Sequence, residues 1–188
     1  MTRWQPDARG RLGQAALELY AERGFDNTTV AEIAKRAGLT ERTFFRHYAD
    51  KREVLFGGAG GLQETLVDTV ADAPDSLSPL DAVAAGLEAA ADLLQSRREF
   101  SLRRQAIIAA NPELQERELI KLASLAAAIA EALRGRGVED AAASLIGETG
   151  IAVFRTAFER WIDERNDRDF ASLIRESLDQ LRALTAPA

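Results

Sequence analysis

The chain has no cysteine among its 188 residues, which excludes disulfides, thiolate nucleophiles and Cys-ligated metal sites. It has a single histidine, His47, so there is no second ring for a histidine metal site and no basis for a Ser–His–Asp set. No run of about 18 uncharged apolar residues occurs, so no membrane span is expected. The opening MTRWQPDARGR lacks an apolar stretch behind its charges and does not read as a signal peptide. Aromatics are only 6% of the residues and β-branched residues are few, which argues against sheet. The one glycine-rich run, GGAGG at 57–61, follows no strand and precedes no G-K-[ST], so it is neither a dinucleotide fingerprint nor a phosphate loop. The expectation from these absences is a cytoplasmic protein with no metal, no cofactor and no enzymatic activity.

Apolar residues make up 46% of the chain, enough for a sizeable core rather than disorder. Ala, Leu, Glu and Arg dominate, all good helix formers, so the fold class expected is all-α. The net charge of −6 is unevenly spread. Residues 1–56 hold ten Lys/Arg and eight Asp/Glu, a balance of +2; the remaining fourteen and twenty-two give −8. A mildly basic front on an acidic body suits a DNA-facing end.

Apolar periodicity and caps predict about nine helices. Leu12, Ala15, Ala16, Leu19 and Tyr20 form one stripe on a helix from Asp7 to Arg23, closed by Gly24. Thr28 is read as the cap of a second helix over 29–37, broken by Gly38. Thr40 caps a third, 41–48, and Asp50 a fourth from Lys51. Ser78-Pro79 opens a helix running to Gln95. Further helices are expected over 97–110, 112–134, 140–165 and 169–184.

Residues 30–48, VAEIAKRAGLTERTFFRHY, carry the functional signal. In a helix-turn-helix the helices cross closely, so the first needs a small residue at the crossing. The turn four residues later needs a residue tolerant of positive φ, and six residues beyond an apolar side chain must enter the first helix. Ala34, Gly38 and Phe44 meet all three demands. With Phe44 in the core, Thr40, Glu41, Arg42, Thr43, Phe45, Arg46 and His47 face outward or sit at the helix start, where a major-groove helix reads bases and holds phosphates. Phe45 reads either as a second core ring or as a groove contact, and Tyr48 as core. Arg42 and Arg46 are one turn apart and suited to guanine O6 and N7. Thr28 and Thr29 offer hydroxyls at a helix start, a phosphate site; Lys51 is another, and Arg3, Arg9 and Arg11 extend the basic footprint.

Residues 16–56, ALELYAERGFDNTTVAEIAKRAGLTERTFFRHYADKREVLF, resemble the TetR family of bacterial repressors. The resemblance lies in the AERGF-x-x-TTV junction, the IA-x-x-AG turn, the TFFRHY helix and the D-K at 50–51. It implies DNA-backbone or groove roles for Thr29, Thr43, Phe45, His47 and Lys51, with Phe45 standing where a Tyr, with its hydroxyl, is common. It also implies an N-terminal helix-turn-helix domain over 1–50 and a helical ligand-binding and dimerisation domain over 51–188. The GGAGG run sits in the helix expected to join them and is a candidate hinge.

The resemblance makes the last two helices a dimer-forming pair, and their apolar faces agree. Leu145, Thr149, Val153 and Trp161, with Leu173, Ile174, Leu178 and Leu181, are the expected interface. REFSLRRQAIIAANPEL, 98–114, resembles TetR-like regulators thought to bind acyl-CoA-like molecules. Phe100, Ile107, Ile108, Leu122, Phe154 and Phe158 would line an apolar cavity, with Arg103, Arg104 or Gln105 meeting a polar head. The function expected is a homodimeric repressor that binds double-stranded palindromic DNA and is released by a small apolar or amphipathic effector. The alternative is a helical scaffold using its helix-turn-helix for protein contacts.

Overall fold

The computed structural model describes residues 7–185. Arg3, one of the expected basic contacts, lies outside them. Among the described residues there are nine α-helices and no strand: α1 (Ala8–Arg23), α2 (Val30–Arg36), α3 (Glu41–His47), α4 (Ala59–Ala71), α5 (Pro79–Gln95), α6 (Arg98–Ala109), α7 (Pro112–Gly135), α8 (Asp140–Ile162) and α9 (Phe170–Thr185). A 3₁₀ turn, Glu53–Phe56, stands between α3 and α4. None of these helices is long and apolar enough to cross a membrane. The all-α expectation holds.

Two compact units divide the chain. The first takes the residues through Ala59 together with Leu102–Glu118; the second takes Gly60–Ser101 and the chain from Leu119 onward. The first therefore contains the helix-turn-helix, the 3₁₀ turn and the elbow where α6 ends and α7 begins.

In the first unit, Leu12, Ala15, Ala16, Leu19 and Tyr20 line the buried side of α1, as the periodicity predicts. Asp7 caps that helix, accepting a hydrogen bond from the Gly10 amide at 2.8 Å. Two details of the expected chain path change. The cap of α2 is Thr29, in a reciprocal capping box with Glu32, and not Thr28. Thr28 is 1% exposed and its hydroxyl donates to the Gly24 carbonyl at 2.9 Å, closing the α1–α2 loop from inside. The fourth helix also starts later. Asp50 accepts from the Arg52 and Glu53 amides, but this launches only the 3₁₀ turn, and Gly57 and Gly58 form a turn before α4. A Cβ on Gly57 would collide with the Tyr48 ring and hydroxyl, whereas one on Gly60 or Gly61 meets nothing within 4 Å.

The elbow is tied to the 3₁₀ turn by two arginines. Arg104 donates to the Leu55 carbonyl at 2.8 Å, pairs with Glu118 at 3.1 Å and lies over the Phe56 ring at 4.8 Å. Burial pushes its guanidinium below the usual range, and Glu118 opposes that shift. Arg117 pairs with Glu53.

The second unit is a bundle in which α5, α8 and α9 pack on one another. Glycines allow the close crossings: a Cβ on Gly86 would stand 2.9 Å from the Leu66 carbonyl oxygen, one on Gly147 2.6 Å from that of Ala126, and one on Gly150 2.7 Å from Val83. Four rings fill one region of this unit. Trp161 stacks on Phe170 at 4.8 Å, Phe154 meets Phe170 edge-on at 5.4 Å, and Phe158 contacts the other three. Arg98 donates to the carbonyls of Trp161, Asp163 and Asn166. It thus satisfies the Trp161 carbonyl in the last turn of α8, which has no partner within the helix, and two carbonyls of the loop beyond; the helix ends at Ile162, three residues before the expected end.

The faces of α8 and α9 require a correction. Val153, Trp161, Leu173, Ile174 and Leu178 are buried within their own chain; these two helices turn their most apolar sides toward each other and α5. Of the eight residues expected at a dimer interface, Leu145 is 69% exposed and Thr149 and Leu181 are half-buried. The amphipathic pattern marks burial, and for these five residues the covering surface is the chain's own core.

Candidate DNA interface

Three features build the helix-turn-helix. Ala34 and Phe44 are buried, and Gly38 between them has φ +67. The Leu39 amide reaches the Ala34 carbonyl at 2.8 Å and the Gly38 amide that of Lys35 at 3.0 Å. This pair of bonds is a Schellman ending, and it requires the left-handed residue that glycine supplies without penalty. Arg11 donates from α1 to the Ala37 carbonyl at 3.2 Å, fixing the turn from below. Thr40 then caps α3 by accepting from the Thr43 amide at 3.2 Å.

Around this core several arginines are matched to carboxylates. Arg36 pairs with Glu18 and Glu22, Arg23 with Glu32, and Arg52 with Asp50. The hydrogen bond to Arg36 holds the Glu22 carboxyl below the usual range, and Arg52 does the same for Asp50. Arg42 and Arg46 are exposed and make no ion pair among the described residues. With Thr43 and Phe45 they rim a shallow open concavity of about 460 Å³. Three arginines that brace these helices are thus neutralised, whereas the two on α3, like the exposed Lys35 of α2, carry no ion pair among the described residues. Sequence spacing put Arg42 and Arg46 on one face but held no sign of which other arginines would find carboxylates.

The expected contact residues separate accordingly. Thr40, Arg42, Thr43, Phe45 and Arg46 come together on α3. Thr29 is exposed, but its hydroxyl and its amide both donate to the Glu32 carboxylate at 2.9 Å; the anion expected at this helix start is the chain's own glutamate. Lys51 turns inward, with Nζ donating to the carbonyls of Phe25, Asp26 and Thr28 and lying 4.3 Å above the Phe25 ring centre. Three carbonyls and a ring occupy that ammonium, which makes it a staple of the α1–α2 loop. His47 is half-buried, with Nε2 shielded from solvent and without a partner. Arg9 lies over the Tyr48 ring at 5.6 Å.

The expected ligand-pocket residues fall in both units. Arg104, Ile107 and Ile108 belong to the first, where both isoleucines are buried and Arg104 is held by Leu55 and Glu118; Arg103 is there too, exposed. Phe100, Leu122, Phe154 and Phe158 belong to the second. Of these, Phe154 and Phe158 come together, stacked at 6.0 Å, while Phe100 carries Arg97 over its ring at 5.1 Å. In the same ring cluster the buried Trp161 indole N–H has no acceptor among the described residues.

Comparison with known proteins agrees with this geometry. Residues 13–56 match the family described as bacterial regulatory proteins, tetR family, and residues 77–186 match the MftR C-terminal domain. The chain is 27% identical to the putative mycofactocin biosynthesis transcriptional regulator MftR of Mycobacterium tuberculosis over 158 residues, covering 82% of this chain and 80% of that protein. Among solved structures it resembles Thermus thermophilus FadR, a TetR-family repressor in complex with lauroyl-CoA, at 25% identity and TM-score 0.60, with 96% of each chain covered. The triclosan complex of SmeT, the Stenotrophomonas maltophilia efflux-pump repressor, shares the fold at 21% identity and TM-score 0.66, over 94% of this chain and 90% of that one. With a tetR-type helix-turn-helix at its front and an MftR-type domain spanning more than half its length, the chain belongs to the TetR family of transcriptional regulators.

Proposed function

We propose that this regulator is a cytoplasmic repressor that binds an inverted-repeat operator as a homodimer, reads it with α3 and leaves it when a small amphipathic molecule binds. The observation that carries the reading is that Arg42 and Arg46 are exposed and carry no ion pair among the described residues, in a unit where Arg23, Arg36 and Arg52 are matched to carboxylates. An unpaired exposed arginine suits guanine O6 and N7, and each such contact is worth about 1–3 kcal/mol of discrimination. The match of residues 13–56 to the tetR family favours this reading over a scaffold that meets another protein through α3.

A two-fold pair of such units sets two recognition helices about 34–36 Å apart, or a multiple of that. The outward side of α8 is the surface available for pairing: Leu145, Glu148, Ala152 and Thr156 are exposed along it. The effector class follows from the FadR likeness at 25% identity, where the bound molecule is lauroyl-CoA, and from the ring cluster around Phe154 and Phe158. The functional boundary is placed near residue 50, with ligand binding and dimerisation beyond it.

Selection from random duplex DNA, followed by titration against salt, tests the reading. A palindrome should be recovered, and log K should fall linearly with log salt with a slope of about −0.9 per phosphate neutralised. Arg42→Ala or Arg46→Ala should relax the selected sequence at one position per half-site. Enrichment of no sequence, together with no salt dependence, would sink the DNA-reading role.

A further inference from the structure

We propose that Phe45 selects thymine, by packing its ring on the C5-methyl group in the major groove. The proposal rests on the DNA-reading role of α3 and adds a base identity to it. Phe45 is 56% exposed, the most exposed ring among the described residues of the first unit, and it lines the concavity together with Arg42, Thr43 and Arg46. Its direction is not free. The ring stands edge-on against Phe44, 5.5 Å between centres and 80° between planes, and Phe44 is fully buried. Arg42, Phe45 and Arg46 occupy positions i, i+3 and i+4 of one helix, so they share a face. Where the arginines reach base edges, the ring reaches them too.

The chemistry of the ring then limits its partner. A phenyl group has no donor for a phosphate oxygen, and covering that oxygen would remove water without replacing its hydrogen bonds. It has nothing to offer the donors and acceptors of guanine, adenine or cytosine. The thymine methyl is the apolar group that the major groove presents on a base. Of the neighbouring side chains the two arginines are polar, and the Thr43 methyl is the one other apolar group in the concavity, which Phe45→Ala separates from the ring.

The test uses the duplex recovered by selection with the unaltered protein and replaces its thymines one at a time by deoxyuridine, which deletes the methyl alone. At one thymine per half-site, affinity should fall about three- to fivefold, the effect of one buried methyl-sized group. Replacing both symmetry-related thymines should cost about tenfold or more. Phe45→Ala should bind the parent duplex more weakly and the uridine duplex no worse than the parent; Phe45→Tyr, which keeps the ring, should retain the sensitivity. Equal affinity of the unaltered protein for every uridine duplex overturns the proposal and leaves the ring on sugar or in water. Undiminished sensitivity in Phe45→Ala overturns it equally, because another residue then reads the methyl. The uridine series needs no variant to fold. Failure to bind any duplex is a separate result that removes the DNA-reading role itself.

Discussion

The two compact units are held together by different means. In the first, long polar side chains do much of the joining: Arg36 to Glu18 and Glu22, Lys51 to three carbonyls, Arg104 to Leu55 and Glu118, Arg117 to Glu53. In the second, helices come close enough that Gly86, Gly147 and Gly150 have no room for a methyl group, and rings fill what remains. Two helices of this unit are only seven residues long, and caps and side-chain-to-carbonyl bonds tie them to the rest. In the bundle, shape complementarity decides stability. Exposed ion pairs are worth little individually, so the first unit is expected to lean on its part-buried contacts.

The largest effect expected from breaking this contrast lies in the second unit. Gly147→Ala places a methyl 2.6 Å from a backbone oxygen that cannot rotate away, and should cost about 3 kcal/mol. Thermal unfolding checks it, with hydrogen exchange showing the loss in α7 and α8; an unchanged melting curve would mean that the crossing is looser than described. Next comes Arg104→Met, expected to cost about 2 kcal/mol because Glu118 loses its cation in a part-buried site. Adding Glu118→Leu should recover part of that loss, and a double-mutant cycle measures the coupling.

Alkali should separate the units next. Both tyrosines of the chain, Tyr20 and Tyr48, lie in the first unit, and burial raises both hydroxyls above their ordinary value, with the Asp50 charge adding to the rise for Tyr20. A raised folded pKa means that this stability is complete below pH 10 and is lost as pH climbs above it. The loss is up to about 1.4 kcal/mol per pH unit for each tyrosine that ionises only on unfolding. Tyrosinate absorbance and hydrogen exchange should report opening of the first unit while α5, α8 and α9 remain protected; simultaneous loss of both would contradict the expected separation. The smallest effect is a gain. Gly60→Ala and Gly61→Ala meet no neighbour within 4 Å and should each add up to about 1 kcal/mol of helix propensity, visible as a raised melting temperature. If the run is a hinge, the same pair should hold the protein on its duplex when effector is added. Gly57→Ala is a different experiment, because it strikes Tyr48.

Much of this was legible in advance where the cause is local. The stripe on α1, the Gly38 turn, the Thr40 cap and the Ser78-Pro79 start depend on residues within a few positions of one another, and the structure has each of them. The shift of the α2 cap from Thr28 to Thr29 was decided by Glu32, three residues past the true cap, and by the burial of Thr28 against α1. The late start of α4 comes after the turn at Gly57 and Gly58, where Tyr48 lies on Gly57, a contact that no periodicity records. The apolar faces of α8 and α9 were visible as faces, but a stripe of leucines reads the same whether a sister helix or a second subunit covers it.

By itself, then, the amino-acid order determined the helix count, the all-α class and the outward arginines of α3, because capping, glycine conformation and a 3.6-residue period act over a few residues. Pairings between distant side chains were decided only in three dimensions. They include which cations meet carboxylates, that Lys51 staples a loop, and that Arg104 and Arg117 bring the α6–α7 elbow to the 3₁₀ turn. The physical reason is that an ion pair or a ring contact depends on distance in space, which chain order constrains weakly once the separation exceeds a turn or two of helix.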